Sequence, residues 1–127
     1  MCLTSPDLIF RYDKDCRRIY ANPAVARLVG KPSDALLNST PSEAKILSDE
    51  QADRLMRVIR QVLATGRPTE SEVACMGSDG LLHYFHNRYA PEFNAHNEVV
   101  GVISIARDIT ERKLAENEIR TLESMHN

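Results

Sequence analysis

The chain has no tryptophan among its 127 residues, so no indole is available to stack on the isoalloxazine ring of a flavin. Long apolar runs are missing too. The longest nearly apolar stretch, 99–106, is less than half of the roughly 20 residues that a membrane-spanning helix requires. No bilayer contact is therefore expected of this segment. Cysteine is scarce: Cys2, Cys16 and Cys75 are an odd number without the spacing of a disulfide framework, and no secretory signal pattern opens the chain. A reduced, cytoplasmic setting is the expectation. Nor is there an excess of one charge. The 16 Lys and Arg against 18 Asp and Glu leave −2, which supplies no global reason to hold a polyanion, so nucleic acid is not an expected partner.

What is present is the makings of one core. Apolar residues are 43% and charged residues 27% of the chain, far from the composition of disordered segments, and the length is that of a single domain. Residues 8–12 and 18–21 are rich in branched and aromatic side chains about a polar turn, which predicts a hairpin. Asn22-Pro23 then offers a cap and a first-turn proline, with Gly30 as the stop of a short helix. Between 31 and 47 the prolines predict one or two irregular turns.

The pattern Ser48-Asp49-Glu50-Gln51 opens a longer helix, with Ala52, Leu55, Met56, Ile59, Val62 and Leu63 on one stripe and Gly66 at its end. The arginines Arg54, Arg57 and Arg60 could hold an anion in a row, but a solvated face opposite the stripe is the plainer reading.

Period two then takes over. Residues 69–76 and 81–90 predict a hairpin about Gly77-Ser78-Asp79-Gly80, closed by Pro91. Residues 98–107 predict a central strand covered on both faces, since its two alternating sets are apolar apart from Ser104. From Asp108-Ile109-Thr110-Glu111 a polar helix runs onward, with Asp or Thr as its cap. Ala115, Ile119 and Leu122 form a narrow seam, and Asp108/Arg112 and Glu116/Arg120 are spaced as i,i+4 ion pairs. So polar a helix needs a partner helix or a neighbouring domain.

Catalytic constellations are absent. The chain contains no G-x-G-x-x-G, no G-x-x-x-x-G-K-[ST] and no G-x-S-x-G. His83 and His86 stand three apart on one strand and so face opposite ways, without accompanying ligands, and no metal site is expected. Cys75 has no basic neighbour in sequence to activate it and reads as a small buried hydrophobe.

The order of elements, together with Asp13, Ile19-Tyr20-Ala21-Asn22-Pro23-Ala24, Asp79-Gly80, Pro91, Val99-Val100-Gly101-Val102 and above all Arg107-Asp108-Ile109-Thr110-Glu111-Arg112-Lys113, resembles a PAS domain over residues 7–113. The resemblance implies an α+β fold: a five-stranded antiparallel sheet with helices on one face and a C-terminal signalling helix. Residues 1–109 would be the sensory domain and 110–127 the start of a linker to an output domain, such as a histidine kinase, a diguanylate cyclase or a transcription regulator of a bacterial signalling protein. Light-sensing flavin members carry a reactive Cys before the long helix, where this chain reads Leu37-Asn38-Ser39-Thr40-Pro41-Ser42, so that photochemistry is excluded. Haem is disfavoured because 48–66 holds no histidine, Met56 being the one weak opening. A small organic ligand, or none, is the expectation.

The family's pocket lies between the inner face of the sheet and the long helix. With the resemblance setting the register from Gly80 and Pro91, the inward set is Val73 and Cys75, then Phe85, Asn87 and Tyr89, then Gly101, Ile103 and Ile105. The pocket candidates are Leu55, Ile59, Cys75, Phe85, Asn87, Tyr89 and Ile103. Asn87 is an amide needing partners among apolar neighbours. Asp108, Ile109, Thr110 and Arg112 are the candidates for signal transmission, and the seam Ala115, Ile119, Leu122 for weak homodimerisation. The expected function is sensing without catalysis. Its rivals are a ligand-free interaction module of the same fold and a small α+β enzyme, which would require an inward Asp or Glu as general base.

Overall fold

The computed structural model describes residues 7–125, with side chains as far as 123; Cys2 lies outside them. Strands β1 (Leu8–Asp13) and β2 (Arg18–Ala21) form the first hairpin. Its turn is tied by Asp13 Oδ1, which accepts the N–H groups of Asp15 at 2.8 Å and Arg17 at 3.0 Å. Helix α1 (Pro23–Val29) follows and ends at Gly30, which takes the left-handed conformation at φ 73°. Asn22 does not cap it with its side chain. The N–H of Val25 donates to the main-chain carbonyl of Asn22 instead, and the freed amide pins β1: Oδ1 accepts from Ile9 N–H and Nδ2 donates to the Asp7 carbonyl.

The irregular stretch contains a 3-10 turn (Ser33–Leu36) and the short α2 (Pro41–Ala44), begun by a reciprocal Thr40/Glu43 capping box that the sequence reading did not pick out. Helix α3 (Asp49–Thr65) starts where Ser48 Oγ accepts the N–H of Gln51, buries Ala52, Leu55, Met56, Ile59 and Val62, and leaves Arg54, Arg57 and Arg60 in solvent.

Strands β3 (Thr69–Met76) and β4 (Leu82–Phe93) make the second hairpin, and β5 (Val99–Asp108) follows. β4 does not close at Ala90 but runs through Pro91, which stands opposite Val102. β3 begins at Thr69 opposite Tyr89, so beyond that point β4 has an open edge where a proline interrupts no ladder. All pairings are antiparallel, in the order β2-β1-β5-β4-β3. Helices α1 to α3 cover one face, and helix α4 (Thr110–Met125) leaves from the end of β5.

β5 is central in the sheet, as expected, but only one of its faces is covered. Its buried side chains are Val102, Ser104 and Ala106, while Ile105 is 38% exposed. Gly101, Ile103 and Ile105 were expected inward, and the phase is the reverse: Ala106 stands opposite Asn87 and Ser104 opposite Tyr89, on the helix-covered face. With both alternating sets apolar, composition could not choose between phases, and the register taken over from the resemblance gave the wrong one.

Gly101 matters for a different reason. An added Cβ there would run into the main-chain oxygen of Tyr12, because β1 and β5 close tightly at that point. Gly101→Ala is expected to destabilise the domain by about 1–3 kcal/mol through backbone displacement, read as a lower denaturation midpoint. A midpoint equal to wild type would show that the strands part freely there.

Candidate functional site

Two apolar clusters fill the space between sheet and helices. One gathers Leu8, Val25, Leu36, Cys75, Phe85 and Ala106; the other gathers Tyr12, Cys16, Leu55, Met56, Ile59, Val62, Tyr89 and Val102. Between them lies a cavity of about 50 Å³, bounded by Leu8, Phe10 and Tyr12 of β1, Val25 and Leu28 of α1, Leu55 of α3, Val73, Cys75, Phe85 and Asn87 of the second hairpin, and Ser104 and Ala106 of β5. Of the pocket candidates, Leu55, Cys75, Phe85 and Asn87 line it. Ile59 and Tyr89 are fully buried in the second cluster beside it, and Ile103 is on the outer face. Met56 belongs to the second cluster and not to the cavity wall. The volume is about a third of the roughly 150 Å³ that admits benzene, so a flavin or porphyrin does not fit the closed domain.

Three polar groups reach this apolar space. Asn87 Nδ2 donates to Tyr89 Oη at 2.8 Å, while its Oδ1 is buried without a partner. Tyr89 is held in turn by Ser71 Oγ at 3.2 Å. Ser104 is 2% exposed. The third group is Arg18, only 1% exposed, which the sequence reading passed over. Regular alternation back from the buried Ala21 would turn Ile19 in and Arg18 out. A bulge breaks the register between Arg11 and Tyr12: Tyr20 stands opposite Arg11, but Arg18 opposite Tyr12. Ile19 is therefore 49% exposed and the guanidinium goes inside. It lies 5.0 Å from the Phe10 ring centre and 5.6 Å from that of Tyr12. The walls are otherwise neutral. Burial pushes the Tyr12 phenol up to about 12, and burial likewise raises the Cys75 thiol. The lining contains no Asp or Glu.

The helix that leaves this site is fastened to the strand that lines it. Ile109 N–H donates to the Tyr84 carbonyl at 2.8 Å, and Tyr84 N–H donates to Thr110 Oγ1 at 2.9 Å. Asp108 Oδ1 accepts from Thr110 N–H at 2.9 Å, and its Oδ2 is 3.5 Å from His83 Nδ1. Arg112 does not pair with Asp108, nor Glu116 with Arg120, as the spacing suggested. Arg112 reaches Glu72 of β3 at 3.7 Å and Glu116 at 3.6 Å. Lys113 Nζ stands 2.8 Å from Glu72 and holds its carboxyl below the usual range. The tertiary bonds win because the first turn of α4 lies against β3 and β4. Farther along, Leu114, Ile119 and Leu122 are more than half exposed, and Ala115 is exposed as well.

His83 shares the inward parity of Phe85, whereas His86 faces outward to Glu70 at 2.6 Å. Among the described residues no group of three or more His, Cys, Asp or Glu could hold a metal ion, and no helix is long and apolar enough to cross a membrane.

A five-stranded antiparallel sheet in this order, helices on one face and a cavity beneath them, defines a PAS-type α+β domain. The family described as PAS fold matches residues 4–114, and the chain belongs to it. It is 31% identical over 112 residues to the methanogenesis regulatory histidine kinase FilI of Methanothrix harundinacea, which places it with the sensory domains of signalling proteins. The match covers 88% of this chain but only 12% of that kinase. Among solved structures, the VqmA dimer of Vibrio cholerae superimposes with a TM-score of 0.77 at 21% identity, over 84% of this chain and 48% of that one. The PAS domain of Bordetella pertussis BvgS gives 0.73 at 24%, over 95% and 90%. At such identities these two likenesses speak for the fold alone.

The raised Tyr12 value has a consequence for stability. Below about pH 10 the phenol is neutral in both the folded and the unfolded chain. Between about 10 and 12 the unfolded chain loses its proton first, so stability falls as pH rises, by on the order of 2–3 kcal/mol at pH 12. Tyr12→Phe should flatten most of that slope in denaturation series across this range, leaving the smaller part due to Tyr89, whose phenol burial also raises. An unchanged slope would mean that Tyr12 is not buried as described.

Proposed function

We propose that this domain is the cytoplasmic input module of a signalling protein: it takes a small ligand into the cavity and passes a conformational bias through α4 to an output domain beyond it. The observation that carries the reading is the two-way clamp on the Tyr84 main chain, whose carbonyl accepts from Ile109 N–H and whose N–H donates to the Thr110 hydroxyl. That residue adjoins Phe85, which walls the cavity, and it bonds both Ile109 and Thr110, where α4 begins. Any displacement of β4 by a ligand is delivered within one residue to the helix.

The presence of a cavity supports this reading over a core filled wholly by side chains, and the absence of a carboxylate from its lining counts against the rival enzyme, which would lack its general base. Residues 1–109 would then be the sensor and 110–127 the start of the linker. The exposed seam Ala115, Ile119 and Leu122 is suited to pairing with a second copy. Such pairing would be weak, because three seam residues fall short of the three to four heptads of a confident coiled coil. Removing residues 114–127 should lower the dimer fraction in sedimentation. The same monomer–dimer balance with and without them would exclude the seam.

Transmission through a rigid helix depends on phase, since each inserted residue turns the helix by about 100 degrees. In a fusion to a dimeric histidine kinase, seven residues inserted between Lys113 and Leu122 should preserve regulation, and two or five should abolish or invert it. Kinase activity independent of insertion length, with and without stimulus, would eliminate helical transmission.

A further inference from the structure

We propose that the cavity's ligand is a short-chain hydroxycarboxylate, its carboxylate held by Arg18 and its hydroxyl by Asn87. This rests on the ligand-pocket reading above and deepens it.

The first support is an uncompensated charge. A guanidinium does not give up its proton under ordinary conditions, so burial leaves it cationic and in need of an anion or a full set of acceptors. Arg18 has neither. Nη1 reaches the Thr40 carbonyl only at 3.4 Å, and Nε is buried with no acceptor. No carboxylate among the described residues pairs with it, although Arg11, Arg17 and Arg112 at the surface each have one. The rings of Phe10 and Tyr12 offset part of the burial, but they offer no lone pair in the guanidinium plane to Nε. The Tyr12 phenol lies within reach of the guanidinium as a polar neighbour but supplies no charge, because it is neutral through the physiological range.

The second support is the chain's own irregularity. The β2 bulge exposes an isoleucine and buries an arginine, the reverse of what burial energies favour. Bulges of this kind re-aim side chains at sites.

Third, Asn87 Oδ1 is an acceptor buried without a donor in the same cavity. One orphaned donor and one orphaned acceptor match a molecule with an anionic end and a hydroxyl. The remaining wall, with Leu8, Val25 and Phe85, suits a short alkyl remainder. A volume of about 50 Å³ accommodates about three to five water-sized groups, so glycolate with its five non-hydrogen atoms is at the limit and lactate, with six, enters only by displacing the wall.

The test is an amide-resonance NMR titration of this chain with lactate, propionate and lactamide, repeated on Arg18→Lys and Arg18→Met. Lactate should bind about tenfold or more tightly than lactamide, which keeps its shape without its charge, and more tightly than propionate, which lacks the hydroxyl. Arg18→Met should lose the preference for acid over amide, and Arg18→Lys should retain part of it. The wild-type comparison stands alone should either variant fail to fold. Lactamide binding as well as lactate would overturn the anionic assignment while leaving the pocket reading intact. Propionate equal to lactate would overturn the role given to Asn87. If neither the three compounds nor xenon under pressure perturb the cavity resonances, the pocket reading falls with the proposal.

Discussion

The structure depends on β5 lying between the two hairpins. β1 and β2 come from the first 21 residues and β3 and β4 from residues 69–93, and nothing in the sheet joins them except the last strand. β5 pairs with the whole of β1 on one side and with β4 on the other. The tight approach of Gly101 to Tyr12 marks the end of that first seam. One strand therefore closes the sheet, contributes Ser104 and Ala106 to the cavity wall, and continues into α4. These pairings are long-range, so the cavity is complete only when the chain's end has folded onto its beginning.

Much of this was legible in the sequence, wherever local chemistry has a single solution. The capped stripe of α3, the Gly77–Gly80 turn and the left-handed stops at Gly30 and Gly66 follow from side-chain chemistry within a few residues. The β4 face carrying Phe85, Asn87 and Tyr89 was legible as well, once the resemblance had set the register from Gly80 and Pro91. The phase of β5 was not. Ile103 and Ile105 are as apolar as Val102 and Ala106, and choosing between the two faces requires knowing which neighbour each residue meets. Arg18 was hidden for a related reason. Charge and alternation both put it outside, and a single unpaired residue in β2 overrides them.

The inside of the cavity is polarised in a way that apolar sensing would not require. Its neutral groups are held neutral by burial, and its one charge has no internal counterpart. Replacing a buried ionic group with hydrophobic residues of similar volume is often neutral or stabilising, so retaining an unpaired guanidinium under two rings is hard to explain by stability. The partnerless Nε of Arg18 costs the fold a hydrogen bond. A bound anion would relieve that cost, which links occupancy to the packing of β1 against β5 directly behind Phe10 and Tyr12.

How that relief would reach α4 can be judged from the strengths of the contacts at the junction. The Glu72 pairs to Arg112 and Lys113 involve groups 31–57% exposed, and such surface pairs contribute little and weaken in salt. The bonds at Tyr84 are of a different kind. They are part-buried, two of them run in opposite directions between the same short segments, and Ile109 beside them is 7% exposed. Breaking them would leave a main-chain N–H and a carbonyl unsatisfied beside the core, at about 1–3 kcal/mol apiece. If α4 tilts as proposed, the ion pairs would exchange while the Tyr84 clamp stayed with its strand. On that balance, a tilt of α4 under the proposed transmission would be taken up between the clamp and Lys113, in a direction set by β4.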